Sequence, residues 1–467
     1  MGRAQSSLTV APGLEPPWWL QEAPPDPEQP ALEGYTKADV ALVGGGLTSL
    51  WTALELKQRD PAADVVVLEA SRCGIGPSGR NGGFLHGYWS SLARFSDVLG
   101  AGGALAVARA SDGAIPAVRA LEDDVWLREG GLLRVSTSPA QDAILDRSLA
   151  VARALGVEEE AVPLSKDELS GRCSSPAFRR GVFYRDGATV HPARLVWALR
   201  RKALAQGVRL YERTTVTEIA DGVLDTPRGR VRAAEIVVAT NAWGAGWGPL
   251  SRLLTPFGSY VVLTEPVPEL LGEIGWTGGE AITDCRMFLH YFRTTHDGRV
   301  LMGSGSGPIG FRGKIDTRFS ADRGTAARAE AGLRLLLPGL VHAKAEHAWG
   351  GPIDVSADHL PVFGTVPGSR LHYGAGYTGN GVGPSWLGGQ ILASLVLGLD
   401  DEWSRLPLVG RDIKKLPPEP VNFLGGSVVR AAMIAVEEAQ EAGHAPSARA
   451  RFVASLPQRL GLRVGTR

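Results

Sequence analysis

The stretch from Ala38 to Asn81 constrains this chain more than any other: A-D-V-A-L-V-G-G-G-L-T-S-L-W-T-A-L-E-L, and further on D-V-V-V-L-E-A-S-R-C-G-I-G-P-S-G-R-N. Val40 to Val43 is a short apolar run suited to a buried parallel strand, and Gly44, Gly45 and Gly46 follow where the backbone must turn tightly. Leu47, Leu50, Leu54 and Leu56, with Trp51 and Ala53 between, give the next segment the apolar face of a helix that ends before Pro61. Asp64 to Leu68 reads as a second strand ending in Glu69. A helix that opens from a glycine turn aims unpaired N–H groups and the positive end of its dipole at one spot, which suits a pyrophosphate. Glu69 lies 25 positions after Gly44, near the usual spacing of about 20 for an acid that accepts hydrogen bonds from ribose hydroxyls. The pattern predicts a dinucleotide site made by Val43, Gly44, Gly46, Leu47, Thr48, Ser49, Glu69 and Ala70. Ser49 replaces the third glycine of G-x-G-x-x-G and is nearly as small.

The loop after Glu69, S-R-C-G-I-G-P-S-G-R-N-G-G-F-L-H-G-Y-W, narrows the ligand. Its closely spaced glycines let the backbone lie against something flat or charged. A plain nicotinamide domain has no need of such a loop. FAD does, because its isoalloxazine ring lies far from the adenosine and needs its own cradle, here Ser78, Gly79, Arg80, Asn81, Gly82 and Gly83. A second glycine loop, Gly376, Tyr377, Thr378, Gly379, Asn380, Gly381 and Val382, precedes a predicted helix over 386–397. Backbone N–H groups there can stabilise negative charge on the flavin N1–C2=O edge. Cys73 follows the ribose acid too closely to reach the ring, so non-covalent FAD is expected.

The chain resembles the D-amino-acid oxidase (glycine oxidase) superfamily of FAD-dependent amine and amino-acid oxidoreductases, and within it the γ-glutamylputrescine oxidase-like branch. G-G-G-L-T-S-L-W-T-A, E-A-S-R-C-G-I-G-P-S-G-R-N-G-G, A-T-N-A-W and G-Y-T-G-N-G-V carry the likeness, in family order across residues 38 to 400. The resemblance implies an α/β fold with an α+β second domain. A Rossmann-like FAD-binding domain of glutathione-reductase type would comprise residues 38–95, 170–248 and 349–400. An antiparallel-sheet substrate domain would comprise 96–169 and 249–348. Backbone near Val216 would then meet the adenine, and Ala239, Thr240 and Asn241 would end a strand beside the pyrophosphate.

Composition excludes other classes. Lysine plus arginine equals aspartate plus glutamate at 49 each, so no basic field attracts nucleic acid. The three cysteines, Cys73, Cys173 and Cys285, form no C-x-x-C pair, which argues against a disulfide framework or metal site and fits a cytoplasmic protein. No apolar run approaches the roughly 20 residues of a membrane span. Residues 1–37 read as an irregular lead-in without a secretory signal, in which Trp18 and Trp19 clamp onto the folded body. Met1 to Ser6 fits the loose N-myristoylation pattern, but no polybasic run supports it. The extension 401–467 is expected to hold one helix, over 428–442, which packs on the body or on a second subunit of a homodimer.

Substrate-side residues are less constrained. Arg286 to Met302 is a hairpin signature turning at Asp297-Gly298, with Met287, Leu289, Tyr291 and Arg293 on one face. Tyr291 is the candidate for bounding the pocket and hydrogen-bonding an amine. His191, beside Pro192, is read as structural. Amino-acid-oxidising relatives usually carry an arginine in G-L-R-P, and often another in the last glycine loop, to hold a substrate carboxylate. This chain has Gly351 before Pro352, and Thr378 with Asn380 in the later loop. The expected substrate is therefore an amine, polyamine or γ-glutamyl amine, with Asp354 or Asp358 attracting its cation and His359 facing either the flavin region or solvent. The expected reaction passes hydride from a neutral amine to FAD, with oxygen as electron acceptor. The alternatives are a D-amino acid, glycine or sarcosine oxidase or dehydrogenase, a flavin monooxygenase, and a non-catalytic FAD scaffold.

Overall fold

Two buried apolar runs, Val40–Val43 and Val65–Leu68, lie side by side in the first of two eight-stranded sheets. The computed structural model describes residues 17–23 and 26–462, so the N-myristoylation-like Met1 to Ser6 lies outside the described residues. The path of the first sheet is β17 (Val362–Thr365), β18 (Leu371–Ala375), β11 (Gly229–Val238), β1 (Gly34–Val43), β2 (Val65–Leu68) and β8 (Arg209–Tyr211). β10 (Val223–Asp225) and β9 (Glu218–Ala220) branch from β11. The central pairs β18–β11–β1–β2–β8 are parallel, so their carboxyl ends share one edge. Val43 pairs with both Leu68 and Val238, which places Gly44, Glu69 and Ala239 together just past that edge.

The helix Leu47–Arg59 begins at the glycine turn and buries Leu47, Leu50, Ala53, Leu54 and Leu56. It packs closely on the helix Pro384–Val396, where a Cβ on Gly389 would come within 2.7 Å of Trp51 Cβ. A second neighbour is the helix Pro192–Ala205, which the Nδ1 atom of His191 caps by accepting the Arg194 N–H. His191 Nε2 lies 2.7 Å from Glu22, and the residue lines neither of the two cavities described below.

The second sheet has the order β16 (Ala345–Ser356), β12 (Leu254–Thr264), β15 (Val300–Ser304), β14 (His290–Thr294), β13 (Ala281–Thr283), β4 (Leu132–Ser136), β6 (Arg180–Tyr184) and β5 (Val162–Leu164). Its neighbours are antiparallel except β4 with β13, so the sheet is mixed rather than wholly antiparallel. β6 and most of β16 fall in segments that the sequence pattern assigns to the first domain, yet both pair in this sheet. β14 and β15 form the anticipated hairpin at Asp297-Gly298. A short ribbon, β3 (Phe84–Leu85) with β7 (Ala188–Thr189), lies between the two sheets in the chain's path.

Both ends of the described part of the chain pack on this body. Trp18–Glu22 is a short helix with both tryptophans buried, and Trp19 Nε1 donates to the Asn81 carbonyl at 2.9 Å. The tail holds two helices, Val421–Glu441 and Ala448–Arg459, where the pattern suggested one. Gly425 and Gly426 interrupt the apolar periodicity of the longer helix, and its start is set by packing: Phe423, Met433 and Ile434 lie against Phe257, Phe288, Ile309 and Val355.

One buried ion pair fastens the loop after Glu69. Arg200 and Glu212 lie 3.0 Å apart with side chains 2% and 0% exposed, and Glu212 also accepts the N–H groups of Cys73 and Gln29. Glu212→Ala should cost about 3–5 kcal/mol, because it leaves a buried guanidinium without its anion. Denaturant midpoints of wild type and variant measure that loss.

Candidate active site

Two cavities meet where the sheets adjoin, one of about 320 Å3 and one of about 580 Å3. Pro77, Asn81, Ile353, Gly379 and Val382 line both.

The smaller cavity is built on the carboxyl edge of the first sheet. Gly44 has φ +102°, and a Cβ there would come within 2.7 Å of the Ala239 carbonyl oxygen. Gly46 faces Ser78 Oγ at 2.8 Å in the same sense, and Ser78 Oγ accepts the Leu47 N–H at the helix start. The Glu69 carboxylate accepts from Gly45 N–H at 2.6 Å and Ser71 N–H at 2.8 Å, while burial raises its pKa. Thr48 Oγ1 and Tyr377 OH are hydrogen-bonded at 2.9 Å across the cavity. Thr240 Oγ1, Trp243 Nε1 and Asp354 Oδ1 are buried without a hydrogen-bonding partner in the protein, and all three residues line this cavity. Bare backbone at a helix start, a ribose-type acid and unspent polar atoms together fit a dinucleotide with many hydroxyl and phosphoryl oxygens.

Of the residues predicted for the cofactor, Val43, Gly44, Gly46, Leu47, Thr48, Glu69, Ala70, Ser78, Val216, Ala239, Thr240, Asn241, Tyr377 and Gly381 line this cavity, and Asn81, Gly379 and Val382 stand at the junction. Arg80, Gly82, Thr378 and Asn380 face the larger cavity instead. Ser49, Gly79, Gly83 and Gly376 line neither. Ser49 is enclosed in its helix, and a Cβ on Gly79 or Gly83 would strike the carbonyl of Gly74 or Val190, so these glycines serve packing. Thr214, Thr215 and Ser385 line the cavity without having been predicted. Their only signal was their place just after β8 and at the start of the last helix.

The larger cavity draws its wall from distant parts of the chain. Leu132 and Arg134 come from β4, Ser259 and Val261 from β12, Tyr291 from β14, and Met433, Val436, Glu437 and Ala454 from the two tail helices. Tyr291 sits where the hairpin reading put it, with its hydroxyl 2.8 Å from Ser259 Oγ and its pKa pushed up to about 12 by burial. His86, which the sequence reading passed over, also lines the cavity. Its Nδ1 lies 3.0 Å from the Gly87 carbonyl and so carries the hydrogen, while burial lowers its pKa to about 4. Glu437 accepts the Met287 N–H, and burial raises its carboxyl to about 7.

Three substrate-side expectations change. Asp354 is 1% exposed and lines the smaller cavity, not the larger one; its Oδ2 accepts the Gly376 N–H at 2.6 Å, which braces the last glycine loop. Asp358 is paired with Arg411, whose Nη2 reaches Oδ1 at 3.0 Å, and lines neither cavity. His359 has φ +65° and is 1% exposed, so its turn buries the ring away from both cavities and from solvent. Gly351 and Thr378 do line the larger cavity. Thr378 Oγ1 donates to the Gly376 carbonyl and accepts the Ser356 N–H, so it ties two strands together. Among the described residues, no cluster of histidines, cysteines and acids is arranged to hold a metal ion, and no helix is long and apolar enough to cross a membrane.

Residues 39–395 match the family model described as FAD dependent oxidoreductase, and the chain belongs to this DAO family. It is 31% identical to the gamma-glutamylputrescine oxidoreductase of Escherichia coli, over 77% of this chain and 84% of that one. A probable oxidoreductase, OrdL, of Rhizobium meliloti is 28% identical over 91% of this chain and 96% of its own. Among solved structures, glycine oxidase from Geobacillus kaustophilus superposes with a TM-score of 0.66 at 25% identity, covering 81% of this chain and all of that one. The protein is thus an FAD-dependent oxidoreductase of the class that acts on amines and amino acids.

Two outcomes test the cofactor side. Gly44→Ala should yield protein holding less than about a tenth of the wild-type flavin, read from the visible absorbance of the purified variant, because a side chain is strained at this φ and collides with β11's end. The second concerns pH. Burial raises the Asp354 carboxyl to about 7 from an ordinary 3.8. The native state therefore holds an extra proton between those values, and this group's contribution to stability declines as pH rises from about 4 to 7. Melting temperatures of the apoprotein at pH 5 and pH 8 should lie closer together in Asp354→Asn than in wild type.

Proposed function

We propose that the smaller cavity holds FAD, that the larger one holds an extended amine, and that the protein oxidises the amine's C–N bond with oxygen as the final electron acceptor. The observation that carries this reading is the junction: five residues line both cavities, so a ligand in one meets a ligand in the other. Bound flavin supplies the hydride-accepting chemistry and its own reoxidation by oxygen, with peroxide as product. The chain's residues supply the rest. Gly44 to Leu47 hold the pyrophosphate and Glu69 the adenosine ribose at the sheet edge. The Gly379–Val382 loop, braced through Gly376 by Asp354, presents backbone dipoles beside the junction. Phe84, Leu289, Ile353 and Trp349 keep the larger cavity apolar near Tyr291, whose hydroxyl can orient an amine nitrogen. Burial keeps His86 uncharged at neutral pH, so it adds no repulsion to an approaching amine.

The substrate class rests on size and on what two positions lack. The larger cavity, at about 580 Å3, exceeds what glycine or sarcosine would fill. Neither Gly351 nor Thr378 offers the cation by which relatives grip an α-carboxylate. The relationship to gamma-glutamylputrescine oxidoreductase supports polyamines or γ-glutamyl amines.

An anaerobic screen of polyamines, γ-glutamyl amines, N-methyl amino acids and D-amino acids, read by bleaching of the flavin, tests the reading. A polyamine or γ-glutamyl amine should bleach it, and admitting oxygen should restore the colour with one peroxide per amine consumed. Bleaching by D-amino acids or glycine alone would replace this reading with an amino-acid oxidase, and NADPH consumption would replace it with a monooxygenase.

A further inference from the structure

Arg134 is a buried cation in the wall of the larger cavity that, among the described residues, has no carboxylate partner. β4 alternation sends Leu132 and Arg134 toward the cavity while Leu133 and Val135 enter the core on the other face of the sheet. Arg134 is 7% exposed. One guanidinium nitrogen, Nη1, donates to the Ser90 carbonyl at 2.8 Å, Nη2 reaches the Cys285 sulfur at 3.9 Å, and the Tyr184 phenol is the other polar side chain that interacts with the group. A thiol is a weak acceptor, and a guanidinium presents five N–H donors in a fork shaped for a carboxylate. Among the described residues no carboxylate forms an ion pair with Arg134. Of the other arginines of the same wall, Arg147 is paired with Asp97 and Arg286 with Asp284 and Glu441, while Arg80 spends its fork on the Ile75 and Gly350 carbonyls and Arg94 donates to Ser91 Oγ. An uncompensated guanidinium in a largely apolar wall is costly unless a ligand supplies the anion.

We propose that Arg134 binds a carboxylate of the substrate, so that the amine oxidised by this protein is one that also carries a carboxylate. The inference rests on the amine-oxidase reading above and sharpens it, favouring γ-glutamyl amines over free polyamines. The anchor is then moved from the two positions relatives use, on β16 and in the last glycine loop, to β4.

The test uses the holoenzyme and two substrates that differ only in the carboxylate: N-(γ-glutamyl)putrescine and its decarboxylated analogue, N-(4-aminobutanoyl)putrescine. Wild type should show kcat/KM about 10- to 100-fold higher for the carboxylated amine, the range of one charge-assisted contact. Arg134→Met should bring the two substrates to within about threefold of each other. Arg134→Lys keeps the stem and the charge but loses the fork, so it should fall between, and it serves if the methionine variant loses its flavin. Absence of discrimination in wild type, or an equal fall on both substrates in the variants, overturns the proposal. A glutarate titration followed by the flavin difference spectrum reads the anchor without turnover. Glutarate should bind at least tenfold more weakly to either variant, and equal binding would refute the anchor while leaving amine oxidation standing. Weakened glutarate binding with no amine bleaching the flavin would keep the anchor and remove the amine-oxidase reading.

Discussion

Val43, Leu68 and Val238 stand in one row across the first sheet, and the smaller cavity exists because they do. Parallel pairing ends three strands at one edge, and the next residue of each contributes a different element: Gly44 a bare backbone, Glu69 an acid, Ala239 a carbonyl that leaves no room for a Cβ on Gly44. The ladder continues past the strands. Gly44 N–H donates to the Leu68 carbonyl at 2.9 Å and Ala239 N–H to the Val43 carbonyl at 3.0 Å, so the turn inherits the register of the sheet. A slip of one residue would exchange the faces of β1 and part these groups. The buried Arg200–Glu212 pair extends the constraint into the next loop by holding the Cys73 amide.

This edge was legible in the sequence because each piece has its own local signal: an apolar run, a glycine cluster, a helical stripe, and an acid at a fixed distance. The hairpin of β14 and β15 was legible for the same reason, its turn being named by Asp297-Gly298. What could not be read was which way a residue on a two-sided strand or a tight turn would face. Asp354 is an acid next to a motif, and sequence gives it equal claim to either cavity. The strand end at Ser356 and the turn through His359, with its positive φ, decide the matter by tertiary packing. Arg134 carries no local signal in L-L-R-V-S, and it is the parallel partner β13 and the antiparallel partner β6 that enclose its strand.

The two cavities also differ in where their walls come from. The smaller is lined entirely by residues inside the 39–395 span that matches the family, whereas the larger takes Met433, Val436, Glu437 and Ala454 from beyond it. Cofactor chemistry is common to a family, and its container is local and regular. The wall of the larger cavity depends on a tail helix whose amphipathic pattern specifies an apolar face but not the surface it covers. That surface includes Phe257, Phe288, Ile309 and Val355, four residues spread over about a hundred positions of the chain.

Charge placement in the larger cavity follows from one packing decision at β16. Arg80 is 3% exposed, with Nε donating to the Ile75 carbonyl at 2.8 Å and Nη1 to the Gly350 carbonyl at 2.7 Å, so its side chain runs along the strand. A Cβ at position 351 would come within 2.8 Å of Arg80 Cδ. Glycine there is thus a steric requirement, and a second arginine would face both a collision and a like charge. Thr378, at φ +53° with its hydroxyl engaged by two backbone groups, is equally committed to holding its strand ends. With both of those positions spent on structure, the cation that the proposed acidic substrate group calls for would come from another wall, and on β4 that wall carries Arg134, whose partners are a carbonyl, a thiol and a phenol but no carboxylate.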